Sequence, residues 1–180
     1  MNSVMVSYDI PESVKCANPS GKFRRWGIRV NASVWIFPPG RVPSEDIADL
    51  RSKGAVVHSV EFAEQAQEKI LELAKRELRR HSRAVMKHVE ERCAKLKADM
   101  VPAEMYDLGT KVEIYHKWRG LLSQARRELL AAEQCALGFA VSRDVAEAFD
   151  GLKNVLSAEF ALATEWRQRQ KSKPLMEVLA

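Results

Sequence analysis

The sequence predicts an α+β chain, a small sheet module at the N-terminal side followed by three long helices. Three observations predict it. Residues 3–62 alternate between β-branched runs and short helical stretches cut by Pro and Gly. From Glu64 the apolar spacing changes to 3.6 and holds for over thirty residues. Two more helical patterns then follow, with no internal repeat and no low-complexity segment.

Ser3 to Ile10 is β-branched and apolar with Asp9 near its end, so it reads as a buried strand stopped by Pro11-Glu12. The turn cluster Asn18-Pro19-Ser20-Gly21 excludes a long helix there. A short helix over 21–26 is expected, with Gly27 as its left-handed stop. Residues 29–37 alternate, Val30, Ala32, Val34 and Ile36 against Asn31, Ser33, Trp35 and Phe37. That period predicts one strand with a face in the core, closed by Pro38-Pro39-Gly40. Arg41-Val42-Pro43 fits a short edge strand, where proline is tolerated. Ser44, Asp46 and Ile47 open a helix that Gly54 closes, with Ile47 and Leu50 inward, and residues 55–62 form another strand. The order is that of a ferredoxin-like βαββαβ unit, residues 1–62.

Residues 63–180 are the helical domain, a bundle or hairpin. The first helix carries Ile70, Leu71, Ala74, Leu78, Val85, Val89, Cys93, Leu96 and Met100 inward and ends at Val101-Pro102. The second runs from about 103 to 137 through Leu108, Val112, Tyr115, Trp118, Leu122, Ala125, Leu129 and Ala132, weakened at Gly109 and Gly120. The third is capped by Ser142 and buries Val145, Phe149, Leu152, Leu156, Ala163 and Trp166, with Pro174 in a polar tail. Helices of this length span roughly 50 Å. They overhang a sheet of sixty residues, so part of their apolar surface must pack on itself or on another subunit.

With 46% hydrophobic and 29% charged residues, the composition is that of a globular protein. No apolar run approaches the ~20 residues of a membrane span. The first ten residues lack a basic segment and contain Asp9, which argues against a secretory signal. Cys16, Cys93 and Cys135 are odd in number and form no CxxC pair, which fits free thiols in a reducing cytoplasm. The net charge of +5 is uneven. Residues 1–61 hold eight basic against six acidic residues and 62–101 ten against seven, while the remainder is balanced. Such a surface permits an acidic partner, DNA or RNA.

Four groups of residues could carry chemistry. Asp9, at the C-terminal end of the first strand, could hold a divalent cation together with a symmetry mate, or simply cap the following turn. Arg76, Arg80, Arg83 and Lys87 are spaced 4, 3 and 4 along one helix face, flanked by Lys75 and Arg79. This row can track a phosphate backbone, or be a solvated face with pairs such as Glu72–Arg76. Trp26 with Arg24, Arg25 and Arg29 could stack on a base, or pack on the sheet. His81 and His88 are seven apart, a poor spacing for a helical metal pair, and His58 and His116 stand alone. No P-loop, nucleophile elbow or GxGxxG is present, so an enzyme of a common class is not indicated, and the sequence is silent on any cofactor.

Tyr8-Asp9-Ile10, followed by Gly27-x-Arg29-Val30-x-x-Ser33-Val34, resembles the small ferredoxin-like subunit of the CRISPR spacer-integration complex. It is also similar to the C-terminal part of the phenylacetate-pathway repressor and the N-terminal part of chromate-resistance regulators. Asp9-Ile10-Pro11-Glu12 and Ser33-Val34-Trp35-Ile36-x-Pro38 lean towards the repressor branch. The resemblance covers residues 3–62. It implies a metal-binding role for Asp9, dimers paired through their sheets, and a nucleic-acid partner.

The resulting expectation is a cytoplasmic, non-enzymatic nucleic-acid-associated protein, prokaryotic or phage in character and dimeric. Arg76, Arg80, Arg83 and Lys87 would contact phosphates, with Arg25 and Arg29 as secondary contacts. One alternative is a structural or partner-binding protein whose helical part forms a homo-oligomer or docks another protein. The other is a metal-dependent nuclease using Asp9.

Overall fold

The computed structural model describes residues 2–11, 20–100 and 108–172. Strands β1 (Val4–Asp9), β2 (Ile28–Arg29), β3 (Val34–Phe37) and β4 (Val56–Glu61) form one antiparallel sheet in the order β2-β3-β1-β4. Helix α1 (Ser20–Phe23) precedes β2, and α2 (Ser44–Ser52) connects β3 to β4. The long helices are α3 (Gln67–Met100), α4 (Leu108–Gly138) and α5 (Ser142–Ser172). The expected breakers at Glu12–Pro19, Val101-Pro102 and Pro174 lie outside the described residues. The chain divides into two compact units. The first is Met1–Ser82 with Leu129–Phe149, and the second Arg83–Glu128 with Asp150–Ala180.

The first unit is built on an aromatic core. Period-two register places Val6 opposite Trp35, and Tyr8 opposite Val57, so these side chains share one face. Phe23 from α1 enters that face and meets three rings edge-on: Tyr8 at 5.9 Å, Trp35 at 5.8 Å and Phe37 at 5.4 Å. Phe23, Trp35 and Phe37 are completely buried. Ile47 and Leu50 of α2 close the same cluster, as their i, i+3 spacing requires.

Residues 29–37 are not one strand. They form a hairpin whose turn is made by Val30–Ser33. The Asn31 side chain accepts the Ser33 N–H at 3.1 Å, and Arg29 donates to the carbonyls of Asn31 (2.9 Å) and Ala32 (3.2 Å). Asparagine offers the backbone a local partner that competes with a ladder, and here the local partner wins. Trp35 and Phe37 therefore face the aromatic core, while Val30 at the turn is exposed.

Arg41–Pro43 is not a strand either. Pro38–Arg41 is a β-turn with Pro39 and Gly40 at its centre. Gly40 has φ 69°, and the Arg41 N–H donates to the Pro38 carbonyl at 3.2 Å. Gly27 is not a left-handed stop: it permits a close approach. A Cβ there would lie 2.7 Å from Phe37 Cδ1 and 2.8 Å from the Ile36 carbonyl oxygen. The Gly27 N–H donates back to Phe23 at 2.9 Å, so α1 ends tightly against β3.

Ser44 does not cap α2; it is the first helical residue and its hydroxyl faces the Val42 carbonyl. The C-terminus does close at Gly54, φ 87°, with Gly54 donating to Arg51 and Ala55 to Leu50. Helix α4 ends in the same pattern, Ala140 donating to Leu137 and Val141 to Ala136. Its left-handed residue is an alanine, Ala140 at φ 56°. Among the predicted inward residues whose burial is described, the helices follow the 3.6 spacing, except that Val112 is exposed. In the first unit Ser82 donates to the Ala148 carbonyl, and Arg79 to that of Asp144.

Replacing Gly27 by Ala is expected to destabilise the protein by roughly 1–3 kcal/mol, because the buried Phe37 ring and the Ile36 carbonyl oxygen crowd the new methyl. Ala140→Gly is expected to stabilise it by about 0.5–1 kcal/mol, by relieving the left-handed alanine. Urea unfolding of the two variants beside wild type checks both signs.

Candidate functional site

The face of α3 that carries Arg76, Arg80, Arg83 and Lys87 lies at helical spacing opposite its buried residues Ala74, Leu78, Ser82 and Val89. Arg76 and Arg80 belong to the first unit, Arg83 and Lys87 to the second. The side chains of Arg76, Arg80 and Lys87 are 73%, 72% and 77% exposed, and Arg83 is exposed as well. Their acidic partners are few. Glu77 serves both Arg76, at 3.5 Å, and Arg80. Lys87 reaches Glu91 at 3.7 Å, and Arg83 forms no ion pair among the described residues. Two carboxylates thus face four cations, and exposed pairs of this kind hold their partners weakly.

The flanking basic residues are engaged elsewhere. Lys75 bridges Glu72 at 2.7 Å and Asp144 at 3.4 Å, while Arg79 holds the Asp144 carbonyl. The hydrogen bond that Lys75 donates to Glu72 is the main reason its ammonium is held above its ordinary pKa. The pair Glu72–Arg76 expected from spacing is replaced by Glu72–Lys75.

A second basic group lies on the sheet module. Arg25 sits over the Trp26 ring at 4.9 Å and Arg41 over the same ring at 5.4 Å. Both are exposed, and neither forms an ion pair among the described residues. Trp26 is half-buried and packs against the aromatic core cluster, so its ring is a support for arginines. Arg29, bound to two carbonyls, is a brace of the hairpin turn. Sequence reasoning missed Arg41. The Pro39-Gly40 pair that fixes its turn was a visible signal, but its meeting with Trp26 is a tertiary event.

Asp9 is exposed at the end of β1, opposite Val56. Among the described residues no three His, Cys, Asp or Glu side chains gather as a metal site requires. His58, His88 and His116 are exposed, and no helix is long and apolar enough to cross a membrane.

Cys16 lies outside the described residues, whereas Cys93 and Cys135 are free, buried thiols. Burial, reinforced by the negative charge of Glu159, pushes the Cys93 thiol up to about 11, and burial alone pushes Cys135 up to about 12. Lys97 pairs with Glu159 at 2.7 Å beside Cys93. Nothing in these thiols is nucleophilic near neutral pH.

Compared with protein-family models, with curated proteins and with solved structures, the chain gives no match.

In a Cys16→Ser protein both remaining thiols are expected to resist a disulfide reagent at pH 8 until urea is added. Because the folded thiols titrate above the unfolded ones, their contribution to stability is complete below about pH 8.5 and is lost as pH rises towards about 11 for Cys93 and about 12 for Cys135. Thiol titration with and without denaturant checks this. Rapid labelling of the native protein contradicts it.

Proposed function

We propose that the protein binds nucleic acid through the phosphate backbone, with Arg76, Arg80, Arg83 and Lys87 as the principal contacts. The observation that carries this reading is the row's charge surplus: of four exposed cations on one face of α3, three share two carboxylates and Arg83 has no ion-pair partner among the described residues. From Arg76 to Lys87 the row covers roughly 16 Å at 1.5 Å per residue, enough for several consecutive phosphates. Arginine suits this task because its planar fork meets two phosphate oxygens at once.

The sheet supports a ferredoxin-like reading of the N-terminal module. β3 lies between β1 and β2, and β1 between β3 and β4, so each helical connection spans one intervening strand. A second reading, a protein-docking or self-associating helical surface, is favoured by Leu130 and Leu137. They are seven residues apart on α4 and 52% and 61% exposed.

Fluorescence anisotropy with short duplex and single-stranded oligonucleotides, at several salt concentrations, tests the proposal. Replacing all four row residues by Gln is expected to reduce the salt slope of binding by about three to four and to weaken binding at low salt. Wild-type affinity and slope in that variant overturn the assignment. If the wild-type chain binds neither oligonucleotide and sediments as an oligomer, the helical surface reading stands instead.

A further inference from the structure

Trp26 gathers two arginines, Arg25 at 4.9 Å and Arg41 at 5.4 Å from its ring centroid. Arg41 leaves the Pro38–Arg41 turn, whose Pro39 and Gly40 fix its backbone direction. Its neighbour Val42 packs against the aromatic core. Its side-chain stem passes the end of α4, where a Cβ on Gly138 would lie 3.8 Å from Arg41 Cγ and 2.7 Å from Pro38 Cγ. Trp26 is fixed from the other side: its N–H donates to the Phe23 carbonyl at 3.0 Å, and Gly27 is pressed onto Phe37. Pro38 follows Phe37 directly, so one packing contact sets both turns.

Two guanidiniums on one indole repel each other. An indole attracts each of them, yet a carboxylate would be the ordinary companion of such a pair, and among the described residues neither has one. The nearest ion pair in sequence, Lys22–Asp46 at 2.8 Å, uses its own carboxylate. Two guanidiniums thus lie 4.9 and 5.4 Å from the centroid of one half-buried ring, with no ion-pair partner among the described residues.

We infer that Arg25 and Arg41, carried on Trp26, form a seat for a phosphate group. A phosphate supplies the missing negative charge and several acceptor oxygens for two planar donor forks. Trp26, packed on the core cluster, acts as the platform that carries the guanidiniums. The seat is separate from the row on α3 and stands without it. Its phosphate can come from a nucleic-acid backbone or from a free phosphate, since both present the same oxygens.

The test is an NMR titration of the arginine Nε–Hε signals, assigned from the spectra of Arg25→Gln and Arg41→Gln. One sample receives short oligothymidylate, and another inorganic phosphate at matched ionic strength. The signals of Arg25 and Arg41 are expected to move together and to saturate. Movement with oligothymidylate alone identifies a chain phosphate as the ligand, and movement with inorganic phosphate alone identifies a free one.

Arg41→Gln is expected to weaken binding of whichever ligand moves the signals by about tenfold. For oligothymidylate it should also lower the salt slope by about one. Signals that stay still with both ligands, or Arg41→Gln with wild-type affinity, overturn the seat. The same titration on the four-fold Gln variant of α3 separates the two assignments. Its wild-type oligonucleotide affinity would remove the α3 row and leave the seat to be judged by its own signals.

Discussion

The Phe23 ring is the constraint on which the rest of the sheet module depends. Four residues of α1 cannot form a stable helix by themselves, since nucleation costs more than one turn returns. What keeps α1 in place is the complete burial of Phe23 among Tyr8, Trp35 and Phe37. Burying such a ring contributes about 1.5–3 kcal/mol, and each edge-on aromatic contact adds about 0.5–1.5 kcal/mol. Those contacts join β1, β3 and the segment that enters β2, which are distant in sequence. The same ring anchors the turn at Arg24–Gly27, and through Gly27 on Phe37 it sets the distance to the Pro38–Arg41 turn.

Charge placement follows from that framework and from helical geometry. On α3, burial of Ala74, Leu78, Ser82 and Val89 leaves the opposite face to water. Arginine and lysine are stable there because their charged heads remain solvated while their stems cover the helix. At Trp26 the arrangement differs: two arginines are gathered by a tertiary contact and gain no carboxylate among the described residues. A solvated face explains the first pattern without a ligand; what distinguishes it is that Glu77 and Glu91 are the acids paired with it among the described residues.

Much of the fold was legible in the sequence where one period dominated. The long helices, the strands 4–9 and 56–61, and the inward pair Ile47 and Leu50 follow directly from spacing. The hairpin was hidden because its register pairs Ile28 with Ile36, even with even, so that period two runs unbroken through the turn. Asn31 was the clue, through its competing side-chain oxygen. Gly27 read as a helix stop because a glycine after a helix usually is one; its real constraint, the flank of Phe37, exists only after folding. Arg76, Arg80, Arg83 and Lys87 shared a face by arithmetic, whereas Arg25 and Arg41 are sixteen residues apart and meet only through Trp26.

The most direct test of this account is amide hydrogen exchange in Phe23→Ala beside the wild type. The account predicts that protection in β1 and β3 falls together by two or more orders of magnitude, in keeping with a loss of about 3–5 kcal/mol. Protection within about threefold of wild type in both strands would contradict it, and would mean that the sheet and its arginine-bearing turns are held by something other than the Phe23 ring.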